Sequence, residues 1–138
     1  MPPTSELATV HLVKPAKRCF ELFCEVGRLV AWVPGLRRAQ TITTTVDGRA
    51  RDVKFEFGES RTYSLVYSYD VRALRIEFVP GVGERDAVRG WAEFVENPAG
   101  GATMTYALDV GAARTLAERE TTSAAAVAEA FARWVGSR

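Results

Sequence analysis

Side chains that could act as a nucleophile or a general base are scarce in this sequence. It contains one histidine, His11, and two cysteines, Cys19 and Cys24. Nucleophilic catalysis requires a nucleophile beside an oriented base. His11 lies on the face of an alternating segment opposite Val10 and Leu12, so we expect it at the surface or at the edge of a sheet. These side chains do not allow a catalytic residue to be assigned.

The same residues give no basis for a metal centre or a disulfide. Cys19 and Cys24 are five residues apart on a predicted helix, so their side chains point about 140° from each other. No second pair of cysteine or histidine residues is available to complete a zinc site. We therefore predict two buried thiols, no metal and no cofactor.

Aromatic residues are more informative, because strand alternation places many of them on one inward face. A buried tyrosine hydroxyl must find a hydrogen-bond partner. The hydroxyls can reach the rim or the backbone, or Tyr67, Tyr69 and Tyr106 can line a cavity and bind a ligand. Small-molecule sites are typically apolar with a few placed polar groups. The inward set is Phe55, Phe57, Tyr63, Tyr67, Tyr69, Phe78, Phe94 and Tyr106.

Two further residues could contribute to such a cavity. Arg51 has the same parity as Val53, so unbroken alternation would point it inward, where it could meet a carboxylate or an enolate. An arginine at the end of a strand can also extend to water. Trp32 precedes the Val33-Pro34-Gly35 break, where it can pack in the core or form an entrance wall.

The chain order predicts the elements that must position these residues. Segment 6–13 is a first strand, and two short helices follow before the break at Pro34-Gly35. Six alternating segments then follow, and Asp47-Gly48 is a strong hairpin signal between the first two. Each has one apolar and one polar face, which is typical of an antiparallel sheet wetted on one side. We predict an α+β fold with a curved antiparallel sheet of about seven strands.

The last element is predicted to be one long helix, from Thr115 to Val135, which the sheet wraps around. Thr115 and Glu118 have the spacing of a capping box, and about 20 residues give a rod of roughly 30 Å. The N-terminal half lacks large apolar bulk, and residues 121–126 (TTSAAA) are all small. We therefore predict an under-filled pocket beside Ala124 and expect Ala124→Trp to block it with little loss of stability. The large apolar residues are Val127, Phe131, Trp134 and Val135.

The order of elements and four segments resemble the START-like, or Bet v 1-like, superfamily, also labelled SRPBCC or polyketide cyclase/dehydrase. The segments are 13–23 (VKPAKRCFELF), 31–35 (AWVPG), 47–50 (DGRA) and 100–106 (GGATMTY). The resemblance covers essentially the whole chain. It implies a helix-grip fold with a deep hydrophobic cavity between the sheet and the C-terminal helix. The family binds lipids, polyketides, hormones and other apolar molecules, and some members are aromatase/cyclases.

Two functions follow from this resemblance. The first is a small-molecule binding protein that holds a hydrophobic or aromatic ligand, lipid or polyketide-like, in that cavity. The alternative is a polyketide cyclase or aromatase that positions a poly-carbonyl substrate there. Cyclases of the family tend to carry an inward arginine where this chain has Tyr69, so Arg51 would have to substitute. The predicted ligand-binding residues are Trp32, Arg51, Phe55, Phe57, Tyr67, Tyr69, Phe78, Tyr106, Ala124 and Val127.

Bulk composition limits the other partners. At 138 residues, positions 1–138 are predicted to form a single domain. The balance of 18 Lys and Arg residues against 17 Asp and Glu residues gives no basis for binding nucleic acid or a membrane surface. No apolar run approaches a membrane span and no signal peptide is recognised, which predicts a cytoplasmic protein. Trp91 has outward parity, where it could form a homodimer contact or be covered by neighbouring side chains.

Overall fold

A computed structural model describes residues 5–58, 61–81, 88–109 and 123–138, with the side chains of residues 5 and 61 excepted. Three helices lie in these ranges: α1 (Ala16–Cys24), α2 (Leu29–Trp32) and α3 (Ala124–Gly136), with a 3-10 turn over Val26–Arg28. The seven strands are β1 (Ser5–Leu12), β2 (Leu36–Thr44), β3 (Ala50–Phe57), β4 (Arg61–Asp70), β5 (Arg75–Pro80), β6 (Arg89–Glu96) and β7 (Ala102–Asp109).

The strands form one antiparallel sheet in the order β1-β7-β6-β5-β4-β3-β2. Strands β2 to β7 therefore lie beside their neighbours in the sequence, and β1 pairs with the last strand. Helix α3 packs against β1 and β7, α1 packs against β6, and α2 contacts β2 and α3. The predicted α+β architecture, with two short helices after the first strand and a C-terminal helix on the sheet, is confirmed.

One face of the sheet carries the core because the side chains alternate. Strand β7 shows the pattern most clearly, since every second residue from Ala102 to Leu108 is buried and the residues between are only partly covered. The helices cover this apolar face, as the one-sided pattern requires.

The alternation breaks at the start of β3. Thr44 pairs with Ala50 and Thr43 pairs with Asp52, so Arg51 is an extra residue opposite the β2 strand. Ala50 and Val53 are both buried although they are three positions apart, and Arg51 is exposed. The expectation that Arg51 points inward is wrong, because a bulge reverses the face of every residue on its far side.

Helix α3 begins later than the sequence predicted. Ser123 has extended backbone angles, φ −63° and ψ 159°, and its Oγ accepts a hydrogen bond of 3.1 Å from the Ala126 amide. Serine is a preferred N-cap, so the helix starts at Ala124 and spans 13 residues, or about 20 Å. The prediction of one continuous helix from Thr115 to Val135 is therefore wrong, because a helix begins directly after Ser123. The capping box proposed for Thr115 and Glu118 lies outside the described residues.

Candidate ligand-binding cavity

A tightly packed aromatic cluster fills the core where the three helices meet. The Phe23 ring centroid lies 5.2 Å from that of Phe131 and 5.4 Å from that of Trp32. Trp32 in turn lies 4.8 Å from Phe131 and 6.4 Å from Trp134. Edge-to-face and offset contacts at these distances stabilise a core beyond the area they bury. The cluster fixes the position of Trp32, which also lies beside the cavity.

An apolar cavity of about 60 Å³ lies between this cluster and the aromatic face of the sheet. Helix α2 contributes Trp32 to its wall and α3 contributes Val127. Seven of the ten predicted ligand-binding residues contact this space, although their binding role stays a prediction: Trp32, Phe55, Phe57, Tyr67, Phe78, Tyr106 and Val127.

The wall on the sheet side is built from neighbouring strands. Tyr67 of β4 pairs with Phe78 of β5, and their ring centroids are 5.7 Å apart. Phe78 pairs with Gly90 of β6, which in turn pairs with Leu108 of β7. Because residues directly opposite each other share one face, this row of the sheet forms one continuous side of the cavity.

Tyr69 is not among the described residues that line the cavity. Its hydroxyl donates a hydrogen bond of 2.6 Å to the Ala50 carbonyl oxygen, next to the bulge at Arg51. Burial raises the pKa of this hydroxyl, which stays protonated at neutral pH. Of the two alternatives for the inward tyrosines, a backbone partner or a ligand, the Tyr69 hydroxyl has the backbone partner. Tyr69 thereby supports the start of β3.

Ala124 lies in a packed part of the fold rather than at an under-filled end. It is 1% exposed, and its amide donates a hydrogen bond of 2.8 Å to Oε1 of Glu6 on β1. Val127, one turn further along α3, is the residue of this helix that reaches the cavity. Because Ala124 is buried and is not among the described residues of the cavity wall, we now expect a tryptophan at position 124 to destabilise the fold, contrary to the expectation from the sequence.

The structure adds cavity residues that the sequence reasoning did not include in the site. Tyr63 and Leu65 share the face of Tyr67, so alternation could have identified them. The helical residues depend on how α1 and α2 sit over the sheet, which no local pattern specifies. The added residues are Phe23, Leu29, Val33, Tyr63, Leu65, Val88 and Leu108.

The described cavity wall has hydroxyl groups but no charged side chain. Three tyrosines contribute the hydroxyls, and that of Tyr67 is the most affected by its surroundings. Burial raises its pKa well above the ordinary value, and the neighbouring Tyr106 and Tyr69 act in the same direction. The wall can therefore hold an apolar molecule and donate hydrogen bonds to it, but it offers no base at neutral pH.

A charged group near this region is Arg49, which is partly buried between α1 and β4. Its guanidinium contacts the carboxylates of Asp47 and Glu21, the latter at 3.4 Å, and lies 5.8 Å from the centroids of the Phe20 and Tyr69 rings. Two carboxylates and two aromatic faces surround this cation, although its Nε is buried without a hydrogen-bond partner among the described residues. Arg49 is not among the described residues of the cavity wall.

Other kinds of chemical site find little support in the described ranges. They contain no group of three or more His, Cys, Asp or Glu residues placed to hold a metal ion. None of their helices has the length and apolar content needed to cross a bilayer. His11 is exposed, as predicted, and its Nδ1 lies 3.0 Å from the Asn97 side-chain amide.

Solved structures with this architecture are similar across nearly the whole chain. A START superfamily protein from Mycobacterium smegmatis superposes with a TM-score of 0.81 at 13% identity, covering 96% of this chain and 97% of that one. A protein from Thermus thermophilus gives 0.76 at 12% identity, covering 96% and 97%. The Zhui aromatase/cyclase from a Streptomyces species gives 0.69 at 14% identity, covering 97% and 84%.

No family model matches the sequence, and no curated protein does. The structural match nevertheless extends over almost the full length of the chain and includes both START-superfamily and aromatase/cyclase structures. The chain therefore has the START fold that the sequence resemblance implied. At these identities the match defines the fold and leaves the ligand to be argued from the cavity.

Proposed function

We propose that this protein binds a hydrophobic or aromatic small molecule, lipid or polyketide-like, in the cavity between the sheet and α3, without transforming it. The observation that carries this proposal is the cavity wall, whose described residues are aliphatic or aromatic and carry no charge. Apolar surface that binds an apolar ligand loses contact with water, and this drives association. The START fold supports the same interpretation.

The size of the cavity sets a condition on binding. A volume of about 60 Å³ is well below the roughly 300–1,000 Å³ of common small-molecule sites. It is also below the roughly 150 Å³ of an engineered apolar cavity that takes up benzene. A ligand larger than a few atoms therefore enters only when wall side chains change rotamer. Phe57 and Tyr63, at the sheet side of the cavity, are half-buried, whereas most of the wall is buried.

A cyclase or aromatase remains the second candidate because the fold is shared with an aromatase/cyclase. The residues expected to polarise a poly-carbonyl substrate are less suited to that role. Arg51 is exposed, and the Tyr69 hydroxyl is bonded to the Ala50 carbonyl oxygen. Tyr67 and Tyr106 are the hydroxyl-bearing members of the predicted set that line the cavity. These placements favour binding over turnover.

Native mass spectrometry of the protein purified from its expression host tests the proposal. We expect a fraction of the wild-type protein to carry a non-covalent apolar compound, which solvent extraction then releases for identification. Val127→Phe adds a ring beside the cavity and should abolish this adduct. Val127→Ala is the matched control, because it enlarges the cavity and should retain the adduct.

The two substitutions also separate loss of ligand from loss of folding. Val127→Ala should lower the free energy of unfolding by about 2 kcal/mol, and Val127→Phe should change it less if the ring enters the empty space. An adduct that is unchanged in folded Val127→Phe would place the ligand elsewhere and contradict the proposal.

Two other sequence predictions bear on partners and location. Trp91 is half-buried on the outer face, and the Arg75 guanidinium lies 4.2 Å from its ring centroid. This contact supports cover by the protein's own side chains, and a homodimer through Trp91 stays a prediction. A cytoplasmic location likewise stays a prediction from the sequence.

A further inference from the structure

The indole nitrogen of Trp32 is a buried hydrogen-bond donor without a partner among the described residues. The side chain is only 6% exposed and belongs to the cavity wall. Leaving such a donor unsatisfied costs about 1–3 kcal/mol, and folded proteins pair the great majority of their buried polar groups. A buried donor that stays unpaired on the wall of a cavity is placed to receive a partner from a bound molecule.

A comparison with Trp134 shows what is special about Trp32. The Trp134 indole nitrogen is also buried without a partner in the described chain. Its ring packs 6.0 Å from Phe131 and 6.4 Å from Trp32, and it is not among the described residues that line the cavity. The two tryptophans thus share an unpaired donor and a neighbourhood, but only Trp32 contacts the space that a ligand would occupy.

The chemistry of the wall specifies the partner. An indole N–H donates and cannot accept, whereas the tyrosine hydroxyls nearby can do either. The ligand group that Trp32 binds must therefore be an acceptor. The described wall carries no cation, and burying a carboxylate without one is strongly unfavourable. An uncharged oxygen, such as that of a ketone or an ester, satisfies both conditions.

We infer that the cavity selects a neutral apolar ligand with a carbonyl-type oxygen, and that the Trp32 indole N–H donates a hydrogen bond to this oxygen. The inference rests on the proposed function and specifies its ligand class. Fatty-acid anions are excluded by it, whereas apolar ketones and esters are preferred over hydrocarbons of the same shape. Trp32 is thus the specificity-determining residue of the cavity.

Three small probes of similar shape separate these possibilities: acetophenone, isopropylbenzene and benzoate. The protein has three tryptophans, so its indole N–H groups give three signals in a ¹⁵N-correlated proton spectrum, assigned with Trp32→Phe and Trp134→Phe. We expect acetophenone to shift the Trp32 indole proton downfield in the wild-type protein. Isopropylbenzene should shift neighbouring cavity signals without this effect, and benzoate should not bind at pH 7.

Affinities measured in the variants give a second readout. Trp32→Phe keeps an aromatic ring and removes the donor, so the preference for acetophenone over isopropylbenzene should fall about fivefold, the equivalent of one hydrogen bond. Trp134→Phe is the matched control and should keep the wild-type preference. Using the ratio of two probes cancels any change in cavity size caused by the substitution.

The outcomes distinguish this inference from the proposed function. Equal affinities for the two neutral probes, together with an unshifted Trp32 indole proton, would overturn the role of Trp32 and leave apolar binding intact. Failure of both neutral probes to shift any cavity signal would contradict the proposed function, and the inference with it. If Trp32→Phe does not fold, Trp91→Phe and Trp134→Phe assign the Trp32 signal by elimination, and the wild-type indole shift stays decisive.

Discussion

Tyr67 and Tyr69 lie two positions apart on the same face of β4, yet their hydroxyl groups have different surroundings. Their rings are stacked with centroids 6.3 Å apart. Tyr67 lines the cavity, whereas the Tyr69 hydroxyl is bonded to the Ala50 carbonyl oxygen. Alternation predicts the shared face, but a tyrosine hydroxyl lies far beyond its Cα, so its partner depends on the neighbouring strand. The sequence therefore could not separate the tyrosine that lines the cavity from the one that supports the start of β3.

Tyr69→Phe should lower the free energy of unfolding by about 1 kcal/mol, because it leaves the Ala50 carbonyl oxygen without this hydrogen bond. It should leave the affinity for an apolar probe unchanged, since the ring is retained outside the cavity wall. Urea denaturation and probe titration measure the two effects.

Tyr67→Phe is the matched comparison, with a smaller expected change in stability and a measurable change in probe affinity. The reverse assignment, with binding altered by Tyr69→Phe and not by Tyr67→Phe, would show that the cavity extends to Tyr69.

Both thiols should react slowly in the folded protein. Burial raises the pKa of Cys19 from 9.0 to about 11 and that of Cys24 from 9.0 to about 12, although Arg49 beside Cys24 acts in the opposite direction. The thiolate is the reactive form, so at pH 8 its population should fall about 100-fold for Cys19 and about 1,000-fold for Cys24. Iodoacetamide labelling followed by mass spectrometry checks this.

The pH dependence of labelling has a defined sign. Because the raised pKa keeps each thiol protonated, the rate in the folded state should rise about tenfold per pH unit up to a pH of about 11 at Cys19. Denatured protein should react at the rate of ordinary cysteine. Cys19 is buried and Cys24 is half-buried. Rapid labelling of either native thiol at pH 8 would contradict its raised pKa.

At the scale of elements, the start of α3 is specified by polar contacts that the apolar pattern does not reveal. Ser123 caps the helix, and Glu6 accepts from the Ala124 amide across to β1. The capping-box spacing of Thr115 and Glu118 indicated an earlier start, and therefore one continuous rod. The contact between Glu6 and Ala124 joins residues far apart in the sequence, and only the folded chain brings them together.

Ala124→Trp should be strongly destabilising, by more than about 3 kcal/mol, because the site is fully packed against β1. Ala125→Trp is the control at the next, exposed position, where only the lower helix propensity acts and about 0.5 kcal/mol is expected. Thermal denaturation of the two variants makes the comparison. Equal melting temperatures would show that the N-terminus of α3 has room for a large ring.

Gly90 lies where β6 approaches β7 too closely for a larger residue. A Cβ added there would overlap the Ala107 carbonyl oxygen and lie 2.9 Å from the Phe78 ring. Gly90→Ala should therefore cost more than about 2 kcal/mol, since β7 or the cavity wall must shift. Gly136→Ala, with nothing within 4 Å of its added Cβ, should be neutral or stabilising by up to about 1 kcal/mol. Chemical denaturation that shows equal stability for both variants would contradict the close approach at Gly90.

At the scale of the whole molecule, the sequence predicted the fold class, the order of elements and the inward face of most strands, because these depend on periodicity and turn residues. The errors came from single positions that periodicity does not record: the bulge at Arg51 and the cap at Ser123. The predicted set included both Ala124 and Val127, and of these two only Val127 lines the described cavity. Its position depends on how three helices pack together, which is a long-range property.

Entry of an apolar ligand into the cavity can be tested directly with crystals of the wild-type protein pressurised with xenon. Apolar cavities of this kind stay dry and bind xenon, and about 60 Å³ is enough for one atom. We predict a single xenon peak between Trp32, Tyr67 and Val127, which is lost in Val127→Phe. Absence of that peak in the wild-type crystal, or ordered water filling the same space, would contradict an apolar cavity open to a ligand.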